Sequence, residues 1–264
     1  HFHDLYIGAH AWDNWSCFTF TSYDNPFVDR EEIEHAKATL PRWAFQQEYM
    51  ASFDAQGSEY FDVEEFEYYE ERPTSDLGDY YIACDLAGFE TDKGKKTKRR
   101  DNSAMAVVFV SHTGTWYVED IQYGRWTLDE TAQKIFDAVR DYKPISVGIE
   151  KGIAQQAVMG PLSDIMRRTQ RMFRIEQLSH GNQKKQDRIL WALQGRFEHG
   201  KVKLKRDKEW NAAFADEAAA FPSALVHDDL IDALSYIDQL AIVPYDSGLD
   251  VEEDWEPICQ LTGY

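Results

Sequence analysis

An α/β domain is predicted over residues 76–243, built on a sheet that contains an antiparallel hairpin and is flanked by helices. Three observations predict it. Short apolar runs alternate with amphipathic helical stretches from Tyr80 onward. Two of those runs are split by His112-Thr113-Gly114, which is hairpin chemistry. Three distant segments each carry acid at the end of an apolar run or along a helix. Asp85 closes Tyr80-Tyr81-Ile82-Ala83-Cys84, and Glu150 closes Ile145-Ser146-Val147-Gly148-Ile149. Asp228, Asp229 and Asp232 sit in His227-Asp228-Asp229-Leu230-Ile231-Asp232-Ala233-Leu234, which reads as a helix.

Taken in order, residues 1–60 mix aromatics with a helical segment from Asp29 to Met50. Asp29 is placed to cap it, with Glu31 and Glu32 in the first turn. Ile33, Ala36, Leu40, Ala44 and Phe45 recur at helical spacing, and Pro41 must kink or divide the helix. Residues 61–79 read as an acidic connector, Asp62 to Glu71, ending in the turn-like Arg72-Pro73-Thr74-Ser75-Asp76. A boundary is expected near residue 75. Strands are then expected at about 80–86, 104–110 and 115–122, and a helix at about 127–141 with Leu128, Ala132, Ile135, Phe136 and Val139 on one face. Pro144 opens the strand that ends at Glu150. Helices follow at about 153–169, 183–197 and 208–219, short strands near 173–178 and 201–204, and the acid-bearing helix at about 227–241. Residues 244–264 read as an acidic, flexible tail. Three parts result: 1–75, 76–243 and 244–264, with no internal repeat.

The 264 residues, 43% hydrophobic and 14% aromatic, suffice for one large domain with a proper core and a smaller appendage. No apolar run approaches the roughly 18 residues that span a bilayer, so no membrane association is expected. Without an initiator Met, the chain is expected to be a fragment of something longer. Cys17, Cys84 and Cys259 fit neither a disulfide framework nor a zinc site, which points to a reducing, cytoplasmic setting. The net charge of −19 is unevenly spread: residues 1–79 carry 4 Lys/Arg against 18 Asp/Glu, residues 80–243 carry 24 against 23, and residues 244–264 carry none against 6. The acidic total therefore does not exclude a DNA partner, because affinity follows the local field.

Carboxylates at the tips of buried strands cost desolvation and repel one another if brought together. A hard divalent cation between them resolves both problems. Asp229 and Asp232 are i,i+3 and Asp228 and Asp232 are i,i+4, so these acids share a helix face and destabilise it unless a cation intervenes. First-turn acids favoured by the helix dipole are the plainer reading for Asp228 and Asp229, but Asp232 gains less from it. Carboxylate donors suit Mg²⁺ or Mn²⁺, and two such ions roughly 3.5–4 Å apart support in-line cleavage of a phosphodiester. Asp85 is expected to bridge both ions, Asp229 to complete one shell and Glu150 the other, with Asp228 and Asp232 as additional ligands. Asp85, Glu150 and Asp229 are thus the expected catalytic residues. His227 is a candidate for proton transfer, although a lone His at a helix start is more often a cap or surface residue.

The order of these elements resembles the ribonuclease H-like nucleases, whose mixed sheet combines an antiparallel hairpin with parallel strands flanked by helices. More closely it resembles the C-terminal nuclease domain of the bacteriophage terminase large subunit. The carrying residues are Ala83-Cys84-Asp85-Leu86-Ala87, Asp101-Asn102-Ser103-Ala104, Gly148-Ile149-Glu150-Lys151-Gly152 and His227 through Leu234. Thr21-Ser22-Tyr23-Asp24-Asn25-Pro26-Phe27, Leu40-Pro41 and Phe45-Gln46-Gln47-Glu48-Tyr49 are similar to the end of that family's ATPase domain and its linker. The resemblance implies cutting of concatemeric double-stranded viral DNA in the host cytoplasm, with metal ligands at Asp85, Glu150 and Asp229. It also implies the small terminase subunit and the capsid portal as partners. No complete Walker A sequence is present. In Gly88 to Thr97 the glycine spacing is one residue too long, so no ATP hydrolysis and no bound nucleotide cofactor are expected.

For DNA contact, the loop Lys93 to Arg100 follows the Asp85 strand directly, which places Lys95, Lys96, Lys98, Arg99 and Arg100 as candidates. Lys184, Lys185 and Arg188 at a helix start are further candidates, as are Lys201, Lys203, Lys205 and Arg206 along a strand and its exit. A solvated charge run is the ordinary reading of each. Nothing resembles a base-reading helix, so little sequence specificity is expected. A junction resolvase or transposase-type nuclease of the same fold is the competing enzyme reading. A non-catalytic DNA-binding module is the competing reading from another class.

Overall fold

The computed structural model describes residue 6 and residues 15–52, 60–87, 102–179, 184–223 and 226–241. Two helices come first. In α1 (Arg30–Thr39) the Asp29 carboxylate accepts the Glu31 amide at 2.9 Å, as its capping position predicts. Pro41 divides the segment: Leu40 turns extended, and α2 (Arg42–Glu48) begins directly after the proline. There follow β1 (Glu67–Tyr69), β2 (Gly78–Asp85), β3 (Ser103–Ser111), β4 (Trp116–Gly124), α3 (Leu128–Tyr142), β5 (Ser146–Glu150), α4 (Ile153–Thr169), β6 (Ile175–Leu178), α5 (Lys185–Glu198), β7 (Val202–Lys205), α6 (Trp210–Ala220), α7 (Asp229–Ser235) and α8 (Ile237–Leu240).

The strands form one sheet in the order β1-β7-β4-β3-β2-β5-β6. The pairs β2·β3 and β3·β4 are antiparallel, and the remaining neighbours are parallel. This is the ribonuclease H-like mixed sheet, helices on both faces, that the sequence predicts. Every residue of β3, the central strand, is buried. The Thr127–Glu130 capping box starts α3 as its sequence requires, with the two backbone bonds at 2.8 and 3.3 Å. Among the described residues no helix is long and apolar enough to cross a membrane.

Strand alternation decides which side chains reach the acid helix. In β2, Ile82 and Cys84 pack with α3 and α4, whereas Tyr81 and Ala83 pack with α5 through α8. In β5, Val147 and Ile149 join the first layer. Asp85 and Glu150 therefore belong to the face covered by α7 and α8. The closeness of that cover shows at Gly148, where an added Cβ would stand 2.8 Å from Leu240 Cδ1.

The expected helix over 227–241 begins only at Asp229 and is interrupted at Tyr236. Asp228 stands outside it, at φ −125° and ψ 25°.

The acidic connector is partly structural. β1 adds to the sheet edge beside β7, and Phe61 and Phe66 enter the core shared with α5 and α6. Phe66 stacks on Phe197 with ring centroids 4.4 Å apart. The expected boundary near residue 75 falls between this strand and β2. The acids of β1 also meet the basic run of β7: Lys203 Nζ lies 2.9 Å from Glu67 Oε2, Arg206 Nε 3.8 Å from Glu70 Oε1, and Lys205 Nζ donates to the Glu70 carbonyl at 2.7 Å. Lys203, Lys205 and Arg206, candidates for DNA contact, are thus engaged across the sheet edge.

The upstream helices dock on the far end of α5. Trp43 meets Trp191 edge to face at 5.2 Å, and the Arg42 amide donates to Glu198 Oε2 at 2.6 Å. At Gly195 any Cβ would sit 2.9 Å from the Pro41 nitrogen, so only glycine permits this approach.

Candidate active site

Parallel pairing brings the two strand-end acids side by side. The β2·β5 register runs through Cys84↔Ile149, and Asp85 and Glu150 are the next residues of each strand. Their carboxyl groups hydrogen bond to each other. Burial first, then this bond to Glu150 and the charge of Asp232, push the Asp85 carboxyl well above the usual carboxylate range, with Lys185 opposing them.

The acid helix supplies the rest. Asp232 is 1% exposed, and its two oxygens are bonded to cations of α5: Oδ2 to Lys185 Nζ at 2.7 Å, Oδ1 to the Arg188 guanidinium. Lys185 Nζ also lies 2.9 Å from Asp228 Oδ1. Burial pulls the Lys185 ammonium down, but Asp232 and Asp228 outweigh it and hold its pKa above the ordinary lysine range. Arg188 bonds the Ser235 hydroxyl as well and lies over the Tyr236 ring, 3.9 Å from its centroid. Asp229, 5% exposed, faces the start of β3: its Oδ2 accepts the Asn102 amide at 3.1 Å and stands 3.6 Å from His227 Nδ1.

The structure thus places all five expected acids at one end of the sheet, but in two sets. Asp85 interacts with Glu150 and Asp232, and Asp228 joins them by sharing Lys185 with Asp232, while Asp229 turns to Asn102 and His227. Among the described residues, no three His, Cys, Asp or Glu side chains gather closely enough to hold a metal ion, so the single five-carboxylate cage expected from the sequence is not formed here. Lys185 provides the cation that such a cluster demands. Arg188, expected among phosphate-contacting side chains, is 6% exposed and points into the protein, because Asp232 needs a buried partner. Lys184 is exposed, as a phosphate contact requires. Lys95, Lys96, Lys98, Arg99 and Arg100 lie outside the described residues, as does the acidic tail. Ala87 and Asn102, which flank that basic loop, are at the acid end of the sheet, since they follow β2 and precede β3.

One further acid was not anticipated. Glu217 of α6 is 8% exposed and accepts the amides of Leu230 and Ile231 at 2.8 and 3.3 Å. Burial raises its carboxyl to about 8, the two amides oppose the rise, and Asp229 and Asp228 add to it. A signal was present in the sequence: Trp210, Phe214, Glu217 and Ala218 are the buried positions of α6, so the acid occupies a place on the apolar stripe.

A fold of this kind with paired strand-end carboxyls under an acid-bearing helix defines a class, the ribonuclease H-like nucleases. The family model described as Terminase RNaseH-like domain matches residues 85–238. The chain belongs to that family. The large terminase subunit of Escherichia phage T5 is 30% identical over 145 residues, covering 54% of this chain and 32% of that protein. The chain therefore spans about a third of the curated relative it matches. Among solved structures, the large terminase nuclease from thermophilic phage G20c with bound magnesium is 14% identical at a TM-score of 0.47, over 70% of this chain and 97% of that one. RuvC of T. thermophilus in complex with a Holliday junction substrate is 11% identical at a TM-score of 0.36, over 60% and 90%.

Proposed function

We propose that this domain is a divalent-metal-dependent endonuclease that cuts concatemeric double-stranded viral DNA, with little sequence preference, during genome packaging in the host cytoplasm. The observation that carries the metal dependence is the Asp85–Glu150 pair: two adjacent carboxyls that share a hydrogen bond, with Asp85 pushed up by burial and its neighbours. Carboxylates held this close repel one another unless a cation lies between them, and Asp85, Glu150 and Asp229 are the oxygen donors that would hold a hard divalent ion. Mg²⁺ or Mn²⁺, as one ion or two, would be held by these three, and would supply an activated water and charge neutralisation at the scissile phosphate.

The chain's own residues do the remaining work. Lys185 holds Asp228 and Asp232 in place through its two ion pairs, and Arg188 fixes Asp232 from within. Lys184 and the basic loop Lys93 to Arg100 would hold the DNA backbone, which positions the substrate without reading its sequence. The relative's name, a terminase large subunit, supports viral DNA as the substrate. The small terminase subunit and the portal would be the partners of the whole protein.

The test is plasmid cleavage with Mn²⁺ against Mg²⁺, comparing wild type with Asp85→Ala and Asp229→Ala. Metal-dependent conversion of supercoiled plasmid, lost in both variants, is expected. Cleavage that persists in EDTA, or in both variants, refutes the assignment.

A further inference from the structure

The acid helix α7 opens with residues well suited to capping it, yet none of them does so. Asp228 holds the N-cap position, and Asp is among the strongest capping side chains, but its carboxylate makes no capping hydrogen bond. That carboxylate is turned instead to Lys185 Nζ, 2.9 Å away. Asp229 spends Oδ2 on the Asn102 amide, and Asp232 bonds Lys185 and Arg188. A capping side chain ordinarily accepts the second or third amide of the helix. Here those amides belong to Leu230 and Ile231, and both donate to one oxygen, Oε2 of Glu217, on a different helix.

We propose that Glu217 is a positioning residue for the site: a remote cap that takes over the amides of α7, releases Asp228 to pair with Lys185 beside the carboxylate cluster, and fixes the start of the helix from which Asp229 projects. If Asp228 capped the helix itself, its carboxylate would fold back over Leu230 and Ile231 and leave Lys185. Burial of Glu217 is tolerable because the two amides and the positive end of the helix dipole satisfy it. The same two bonds tie α6 to α7, so the start of the acid helix is set by packing of Trp210, Phe214 and Ala218 rather than by its own loop. The functional consequence rests on the metal-dependent reading above; the cap itself does not.

Three variants separate acceptor from charge and reach. Glu217→Gln keeps an oxygen that can accept both amides. Glu217→Asp keeps the carboxyl but withdraws it by about one bond length, ~1.5 Å. Glu217→Ala removes the acceptor. Two measurements are made on each: hydrogen exchange of the Leu230 and Ile231 amides, and Mn²⁺ affinity from the electron paramagnetic resonance signal of free Mn²⁺. Glu217→Gln is expected to stay near wild type in both. Glu217→Asp and Glu217→Ala are expected to exchange these two amides faster and to bind Mn²⁺ about 10- to 100-fold more weakly, the usual loss when a residue that orients metal ligands is removed. Unchanged exchange in Glu217→Ala overturns the cap. Wild-type Mn²⁺ affinity in Glu217→Asp or Glu217→Ala overturns the positioning role, as does a Glu217→Gln variant as impaired as Glu217→Ala. If Glu217→Ala does not fold, Glu217→Asp against Glu217→Gln decides by the same two measurements. A wild-type domain that takes up no Mn²⁺ removes the metal-dependent reading, while amide exchange still tests the cap.

Discussion

Acids and cations meet at two places in this sheet, and solvent makes them different. At the β1·β7 edge the partners are side chains in contact with solvent, with Lys203 33% and Glu67 49% exposed, and Glu70 81%. At the acid end of β2 and β5, Asp228 and Asp232 pair with two cations of α5 beside the Asp85 and Glu150 carboxyls, and the Arg188 and Asp232 side chains are only 7% and 2% exposed. Exposed pairs contribute little because water already solvates both partners. Buried ones stand or fall as a unit, since removal of one charge strands the other. The edge pairs therefore add little to the hold on β1, whereas the centre gathers carboxyls at the cost of burying them.

The comparison can be broken at several points. The largest expected effect is on cleavage: Asp85→Ala should lower the metal-dependent rate by about 1,000-fold or more, because a metal ligand supplies several kcal/mol of charge stabilisation. Its companion Asp85→Asn should unfold at a higher temperature than wild type in EDTA, since it removes a carboxyl whose ionisation burial and Glu150 oppose. A lower melting temperature would show that the centre stores no such strain.

Next comes Arg188→Ala, which leaves Asp232 buried without its guanidinium. A loss of about 3–5 kcal/mol in chemical denaturation is expected. A loss under about 1 kcal/mol would place this pair with the surface ones.

Glu217 gives a pH signature. Its carboxyl is raised from 4.5 to about 8 in the folded chain, so the stability it contributes is complete below 4.5 and is lost as pH rises through about 8. The stability of wild type relative to Glu217→Gln should fall across that window, at no more than ~1.4 kcal/mol per pH unit, in metal-free denaturation curves. A flat difference between the two proteins would contradict the raised value.

The smallest effect belongs to the edge. Lys203→Ala should cost about 1 kcal/mol or less and become neutral in high salt. A larger, salt-insensitive loss would mean that β1 is held by its charges rather than by Phe61 and Phe66.

Local rules made much of this legible. Asp29 caps the helix its position predicts, Pro41 divides that helix, and the apolar runs ending at Asp85 and Glu150 are strands. The acids themselves were also readable, since a carboxylate closing a buried run is conspicuous in one dimension. Their partners were not. Arg188 looked like a surface cation at a helix start, and the connector acids looked like a solvated linker, because burial depends on which element arrives from elsewhere in the chain.

What the sequence determined alone is whatever depends on neighbours within a few residues: the start of α1, the division at Pro41, the alternation of β2 and β5, and hence the face on which Asp85 and Glu150 lie. Only the tertiary structure decided that β1 would pair with β7, that Arg188 would be drawn inward by Asp232, and that Glu217 rather than Asp228 would cap the acid helix. The physical reason is that each is a competition for one buried partner among residues far apart in the chain, and the winner is fixed by packing.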